Sequence, residues 1–436
     1  MIEKLCALAA IAATSAFAQS TVTISGFANG SYDLFSVAQG NATTARTGNT
    51  SENRVTDNSS RIIFNSNEDL GGGMRAFAQF DLRIPLDAGG RAGAVCSLPA
   101  TPAVNASGVV TTTVAIAAVA AGGNVCSPAV NPLNGGNSHV GLTTSLGSFR
   151  LGRQDVHYTE GGNFAPVSNP TIHSHAGLLT SAAASTSVGR TSRISNLLWY
   201  TSPTMGGFTG TLGYSTNGHS ASGTTEVEND MASGQRKGNT QYARLGFAQG
   251  PVTAVVSYIN EKADYIGTAA NSTALAAGAA ATFAAANPAP DRSGTIVSFK
   301  YDLGMAKLGA AVANNNSQVF AAGAGTDKSK RTVTQFGVGV PMGASNVALT
   351  YTKLGNETKN TVEQANTGAS AVALAYSYDL SKRTQVFAGM QVINNKSAGA
   401  HQLFYNADNA VGSAGSGVTN AGEKHSVTSF GVRHSF

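Results

Sequence analysis

The feature that most restricts this chain is a two-residue alternation of apolar and polar side chains that recurs along most of it. Between Ser370 and Leu380, the residues Val372, Leu374, Tyr376, Tyr378 and Leu380 share one face, and Ala373, Ala375, Ser377 and Asp379 the other. From Thr295 to Leu303, Val297, Phe299, Tyr301 and Leu303 oppose Ser298, Lys300 and Asp302. The chain ends in the same pattern, with Thr428, Phe430, Val432, His434 and Phe436 opposing Ser429, Gly431, Arg433 and Ser435. Successive side chains of a strand point to opposite faces, so this period predicts strands with one apolar and one polar side.

The connections between these segments fall into two classes. Tight turns with Gly, Pro, Asn or Asp chemistry are predicted at Leu70 to Gly73, Leu146-Gly147, Pro203 to Gly207, Gln249 to Pro251, Asp302 to Gly304, Pro341 to Ser345 and Asp379 to Arg383. Between them lie long stretches rich in Gly, Ala, Ser, Thr and Asn: Val37 to Asn58, Ile84 to Asn137, Gly267 to Arg292 and Asn395 to Glu423. The Ala-rich segments Val109 to Ala121 and Ala269 to Ala286 fall inside such stretches and read as external loops. Seven turns joining eight hairpins imply roughly 16 strands. The expected fold is therefore all-β: a transmembrane antiparallel up-and-down barrel with short periplasmic turns and long external loops. A sheet of this size in lipid must close, because an open edge would strand backbone N–H and C=O groups without partners.

Composition fits that expectation. Charged residues make up only 12% of the 436-residue chain, against about 25% for soluble globular domains. Mean hydropathy is nevertheless close to zero, as expected when one face of each strand meets lipid and the other water. The formal net charge is +5, but the basic residues are scattered singly, which argues against nucleic-acid binding.

The first 18 residues read as a cleaved signal peptide, with Lys4, the apolar run Leu5 to Ala13 and the small-x-small site Ala16-Phe17-Ala18. Residues 19–436 would then form the barrel domain. No later apolar run approaches the roughly 18 residues a spanning helix needs. Cys6 leaves with the leader, while Cys96 and Cys126 share one long excursion. In an exported, oxidising compartment they are expected to form a disulfide, with a pair of free thiols as the alternative.

Four motifs resemble the general porins of beta-proteobacteria, the neisserial and Burkholderia-type trimeric porins. Ser20 to Tyr32 (STVTISGFANGSY) looks like the family's first strand, and Ser60 to Phe80 (SRIIFNSNEDLGGGMRAFAQF) is similar to its second hairpin. Ser138 to Gln154 (SHVGLTTSLGSFRLGRQ) resembles the hairpin leading into the constriction loop. Gly431 to Phe436 (GVRHSF) resembles the family ending, whose terminal aromatic, here Phe436, is the assembly signal read by the barrel assembly machinery. The sequence departs from the family pattern at Ile63 and Asn67, and at Leu197 and Trp199, where more polar residues are expected.

The resemblance implies an outer-membrane channel of a Gram-negative bacterium, a homotrimer embedded in outer-membrane lipid and lipopolysaccharide that passes ions and small hydrophilic solutes. It also implies that His157 to Gly189 is a third loop folded into the lumen, with Glu160 as its acidic counterweight. Such a site performs no covalent chemistry; charges on the lumen face bias which ions pass. Counting alternation from Phe64 and Met74 puts Arg61, Arg75 and Arg83 inward; the same count from Leu151 and Leu198 places Arg150 and Arg193 there. Arg153 lies where strand gives way to loop. Arginine keeps its charge at any physiological pH and its planar donors suit carboxylates and phosphates, so a weak to moderate anion preference is expected. The alternative is that these are ordinary solvated residues.

No cofactor or metal is expected, since His173-x-His175 lacks a carboxylate or cysteine at ligand spacing. A pH-dependent conductance is favoured over a metal site. Two other functions compete. A barrel enzyme, protease or phospholipase, would need a nucleophile with a partnered His; no GxSxG elbow is present, and Asp155 near His157 has no serine motif beside it. A surface adhesin built as a solenoid would show repeats of constant length, and none are evident.

Overall fold

The computed structural model describes residues 20–38, 40, 50–84, 86, 95–97, 125–127, 136–157, 178–179, 193–216, 238–262, 291–321, 325–401 and 421–436. Residues 1–18, read above as a signal peptide, lie outside them, as do Glu160, His173, His175 and both Ala-rich segments. The first strands are β1 (Thr21–Ala38), β2 (Thr50–Asp57), β3 (Arg61–Gly71), β4 (Met74–Arg83), β5 (Val95–Ser97) and β6 (Val125–Ser127). There follow β7 (Ser138–Thr144), β8 (Gly147–Asp155), β9 (Arg193–Thr201), β10 (Phe208–Ser215), β11 (Asn239–Gln249), β12 (Val252–Lys262) and β13 (Asp291–Asp302). The last are β14 (Lys307–Ala321), β15 (Gly325–Met342), β16 (Ser345–Leu354), β17 (Glu357–Lys359), β18 (Val362–Gln364), β19 (Ala369–Asp379), β20 (Thr384–Asn395) and β21 (Lys424–Ser435).

Each wall strand pairs antiparallel with the next, and β21 returns to pair with β1 from Phe27↔Ser435 to Ala38↔Lys424. β2 and β3 flank the two halves of β1 and serve as one wall strand, while β17 and β18 form a hairpin in the β16–β19 connection. The result is a closed barrel of 16 strands. The seam is sealed at the chain's end, where Gly26 and Phe436 exchange two backbone hydrogen bonds, N to O, of 3.2 and 3.1 Å. Gly26 has to be glycine: a Cβ there would run into the Arg61 carbonyl and the Phe436 ring.

All seven tight turns lie between paired strands at one end of the barrel. At the first of them Gly71, Gly72 and Gly73 all have φ near +60 to +80°, a region that glycine enters without steric cost. Apolar residues such as Val297, Phe299, Leu374, Tyr376 and Phe430 are exposed on the outer face, as a lipid-facing band requires. Near the turn end, outward aromatics pair as Phe149–Tyr200 and Phe208–Phe247, at centroid distances of 4.9 and 4.8 Å, the composition of an interfacial girdle.

The structure differs from the sequence reading mainly above the apolar band. Part of the expected loop Val37 to Asn58 is strand: β2 continues the β1 ladder to Val37↔Thr50. Its sequence, TSENRVTD, carries a single apolar residue, Val55, because an arm that clears the lipid needs no apolar side. The break between β2 and β3 is tied back to β1 by buried side chains, with Asn29 N–H donating to Ser60 Oγ (2.9 Å) and Asn58 Nδ2 to Ser31 Oγ (3.0 Å). β14 and β15 likewise stay paired to Ala321↔Gly325. Within Ile84 to Asn137, β5 and β6 pair so that Cys96 stands directly opposite Cys126.

Candidate functional site

The site is the lumen, built from inward residues of the wall and from the connection between β8 and β9. That connection leaves the wall at His157, whose φ of 27° turns the chain. His157 is buried, with Nδ1 2.7 Å from Ser257 Oγ on β12, and burial pushes its pKa down to about 3, so the ring is neutral. Beside it Val156 packs with Ile194, Leu197, Trp199, Tyr242 and Ile259. Trp199 stacks on Tyr242 at 5.1 Å and donates its Nε1–H to Thr201 Oγ1 at 2.8 Å. Leu197 and Trp199, expected to be more polar, face inward but are buried because they form the floor on which the loop base rests.

Further along the connection, Leu178 and Leu179 are fully buried. They join a cluster with Ile296, Ala313, Val333, Ala371, Ile393 and Val427, inward residues of β13 to β21. Asn315 Nδ2 donates to the Leu179 carbonyl at 2.8 Å. This segment between β8 and β9 therefore lies inside the barrel, against wall strands far from the two that carry it.

The inward arginines of the described wall gather mainly on β3, β4, β8 and β21. Arg61 and Arg83 are register partners on β3 and β4. Between them Asp81 Oδ2 accepts from Arg83 Nη2 at 2.9 Å and from Arg61 Nη1 at 3.3 Å, with the carboxylate buried and both guanidinium groups partly open. Arg61 also donates Nε–H to the Ser59 carbonyl. The Phe27 ring carries Arg61 on it at 4.7 Å and Arg433 at 4.1 Å; this stacking orients both guanidinium groups.

Arg150 lies over the inward Phe77 at 5.4 Å, and Gly141 leaves room for that ring. Arg75 is inward by register but exposed near the first tight turn, away from the Arg61–Arg83 pair. Arg153 sits at the irregularity where the β8–β9 register shifts, donating Nη1–H to Ser195 Oγ at 3.1 Å. Arg193 opens β9, opposite Asp155.

Sequence reasoning missed Arg433, Arg54 and Asp81. Arg54 stacks on the inward Phe35 at 4.2 Å. The signal for Asp81 was present: it lies two residues from Arg83, so period two puts both on one face. Among the described residues, no group of three or more His, Cys, Asp or Glu could hold a metal ion.

Residues 5–398 match the family model described as Gram-negative porin. No curated protein matches the sequence. Among solved structures, an anion-selective porin from Comamonas acidovorans is similar at 19% identity and a TM-score of 0.63, covering 96% of this chain and 100% of that one. OmpT of Vibrio cholerae, in a structure described as its trimer form, gives 12% identity and a TM-score of 0.56 over 96% of this chain and 99% of that one. Salmonella typhi OmpF in complex with daunomycin gives 14% and 0.53 over 95% and 97%. At such identities the likeness establishes the fold.

Proposed function

The chain belongs to the Gram-negative porin family, and on that premise we propose that its outer-membrane channel passes small hydrophilic solutes with a weak to moderate preference for anions. One observation carries the preference: Arg61 and Arg433 both stack on the Phe27 ring, and Asp81 links Arg61 to Arg83 as the carboxylate between them. A unit charge ~10 Å from the path of an ion in water is worth ~0.4 kcal/mol, about a factor of two in permeability, so a small surplus of arginine gives a modest bias. Arg75, Arg150, Arg153 and Arg193 extend the basic lining in this reading, and Glu160 opposes it from the loop. Reversal potential in planar bilayers under a potassium chloride gradient is the test: chloride preference supports the proposal and potassium preference overturns it.

The same reading takes residues 1–18 as a cleaved leader, Cys96 and Cys126 as a disulfide, Phe436 as the assembly signal and the working particle as a homotrimer. The trimer form described for Vibrio OmpT is in keeping with the last. It also takes the protein as a channel and not an enzyme. Ser257 and His157 have the spacing of a nucleophile and its base, yet both are buried, and no carboxylate among the described residues bonds to His157 Nε2. Without an orienting acid and access for substrate, the pair is a clasp at the loop base.

A further inference from the structure

Phenylalanine is an unusual residue for a wall that faces water, yet three inward phenylalanines of this barrel each carry a guanidinium group. Arg54 lies over Phe35 at 4.2 Å, Arg61 and Arg433 over Phe27 at 4.7 and 4.1 Å, and Arg150 over Phe77 at 5.4 Å. The stacks descend the wall in order toward the tight-turn end. Phe35 stands eight residues above Phe27 on β1, and Phe77 is in register, through Asn67, with Thr21, six residues below Phe27. The middle stack has a second apolar side chain beside it. Ile63, where the sequence departs from the family pattern, lies in register between Ser25 of β1 and Asp81 of β4, one inward step along β3 from Arg61. Phe27, Ile63, Arg61 and Arg433 are all half-buried, so each still presents surface to the lumen.

We infer that this lumen selects aromatic carboxylates, of the benzoate class, over aliphatic carboxylates and halides. The inference deepens the channel reading given above and rests on it. A guanidinium seated on a ring is held in one plane with its donors at the edge, and that fork matches a carboxylate through two parallel hydrogen bonds. A halide has no pair of oxygens with which to use it. In benzoate the carboxylate is coplanar with the ring, so the approach that engages the fork also brings the ring alongside Phe27 and Ile63. Ring contact and the burial of apolar surface then favour it. Acetate engages the fork but brings no ring. Arg61, Arg83 and Arg433 outnumber Asp81, so the patch keeps a positive charge toward the solute. The stacks at Phe35 and Phe77 repeat the combination toward either mouth, and several weak sites in series let binding coexist with passage.

The test is the reversal potential of the purified channel in planar bilayers under equal gradients of potassium chloride, acetate, cyclohexanecarboxylate and benzoate. The wild type should pass benzoate about threefold better than acetate or more, although benzoate diffuses more slowly in water. At ~1.4 kcal/mol per tenfold, that ratio is ~0.7 kcal/mol, the scale of one exposed ring contact. Benzoate should also exceed cyclohexanecarboxylate, whose ring is neither planar nor aromatic. F27L/I63S, which keeps every charge, should bring the benzoate-to-acetate ratio down to that of free diffusion. Equal permeation of benzoate and acetate by the wild type, or of benzoate and cyclohexanecarboxylate, overturns the proposal, and so does an unchanged ratio in the double variant. The potassium chloride gradient reads the anion preference separately. Chloride preference with equal benzoate and acetate permeation overturns the aromatic selectivity alone, whereas potassium preference overturns the reading on which it rests.

Discussion

Arg61 and Arg83 stand directly opposite one another across the β3–β4 ladder, and the same oxygen of Asp81 accepts a hydrogen bond from each. Like charges placed this way repel across a sheet, so the buried carboxylate is what lets two guanidinium groups share one patch of lumen wall. Asp81→Asn removes that negative charge. The expected result is a stronger anion preference in the reversal potential, together with a stability loss of about 1–3 kcal/mol in thermal unfolding. An unchanged selectivity would mean that ions do not sample this part of the wall.

Leu178 and Leu179 of the β8–β9 connection pack inside the barrel. Replacing both with alanine takes away the apolar contacts that seat it, at roughly 2–5 kcal/mol per leucine if the site does not collapse. Single-channel conductance should rise and become noisier while the wall strands keep their protection from hydrogen exchange. A conductance equal to wild type would show that this segment does not narrow the path.

At the outer rim, His401 joins the β16–β19 connection to Arg331. With its proton on Nε2 it donates to the Thr367 carbonyl at 2.9 Å, leaving Nδ1 to accept from Arg331 Nη1 at 3.3 Å. Burial first, then the Arg331 charge, pushes its pKa down to about 4. The unfolded or opened rim binds a proton near pH 6.5, so between 6.5 and 4 it binds more protons than the closed rim. Closure is therefore fully stable above pH 6.5 and weakens as the pH falls toward 4, by up to ~3 kcal/mol at ~1.4 kcal/mol per pKa unit. Hydrogen exchange across residues 355–368 should accelerate over that window, and His401→Gln should flatten the dependence.

Cys96 and Cys126 are register partners on β5 and β6. Protein isolated from an oxidising compartment should resist maleimide labelling at both until it is reduced. Reduction should leave the barrel's melting temperature unchanged, because this hairpin is a sheet separate from the wall. Immediate labelling of both thiols would contradict the disulfide.

The wall was legible in the sequence because lipid on one side and water on the other impose strict alternation on segments such as Thr295 to Leu303. Turn chemistry located all seven turns for the same reason: backbone geometry demands it. The rim was less legible. β2, the far ends of β14 and β15, and the β17–β18 hairpin stand clear of the apolar band, so no two-faced pattern marks them. Leu197 and Trp199 occupy lumen positions yet are apolar, because what they meet is the loop base. The three-dimensional partner, and not the local period, decides their chemistry. Arg433 fell on the correct face by alternation, but its closeness to Arg61 depends on β21 closing onto β1, a contact between the two ends of the chain.

In the function proposed, solutes cross through the lumen between the wall arginines and the seated Leu178–Leu179 segment. Purified, folded protein added to one side of a planar lipid bilayer should then produce discrete, uniform upward current steps whose size grows in proportion to salt concentration. A membrane that stays electrically silent while the protein is demonstrably inserted would refute permeation through the lumen.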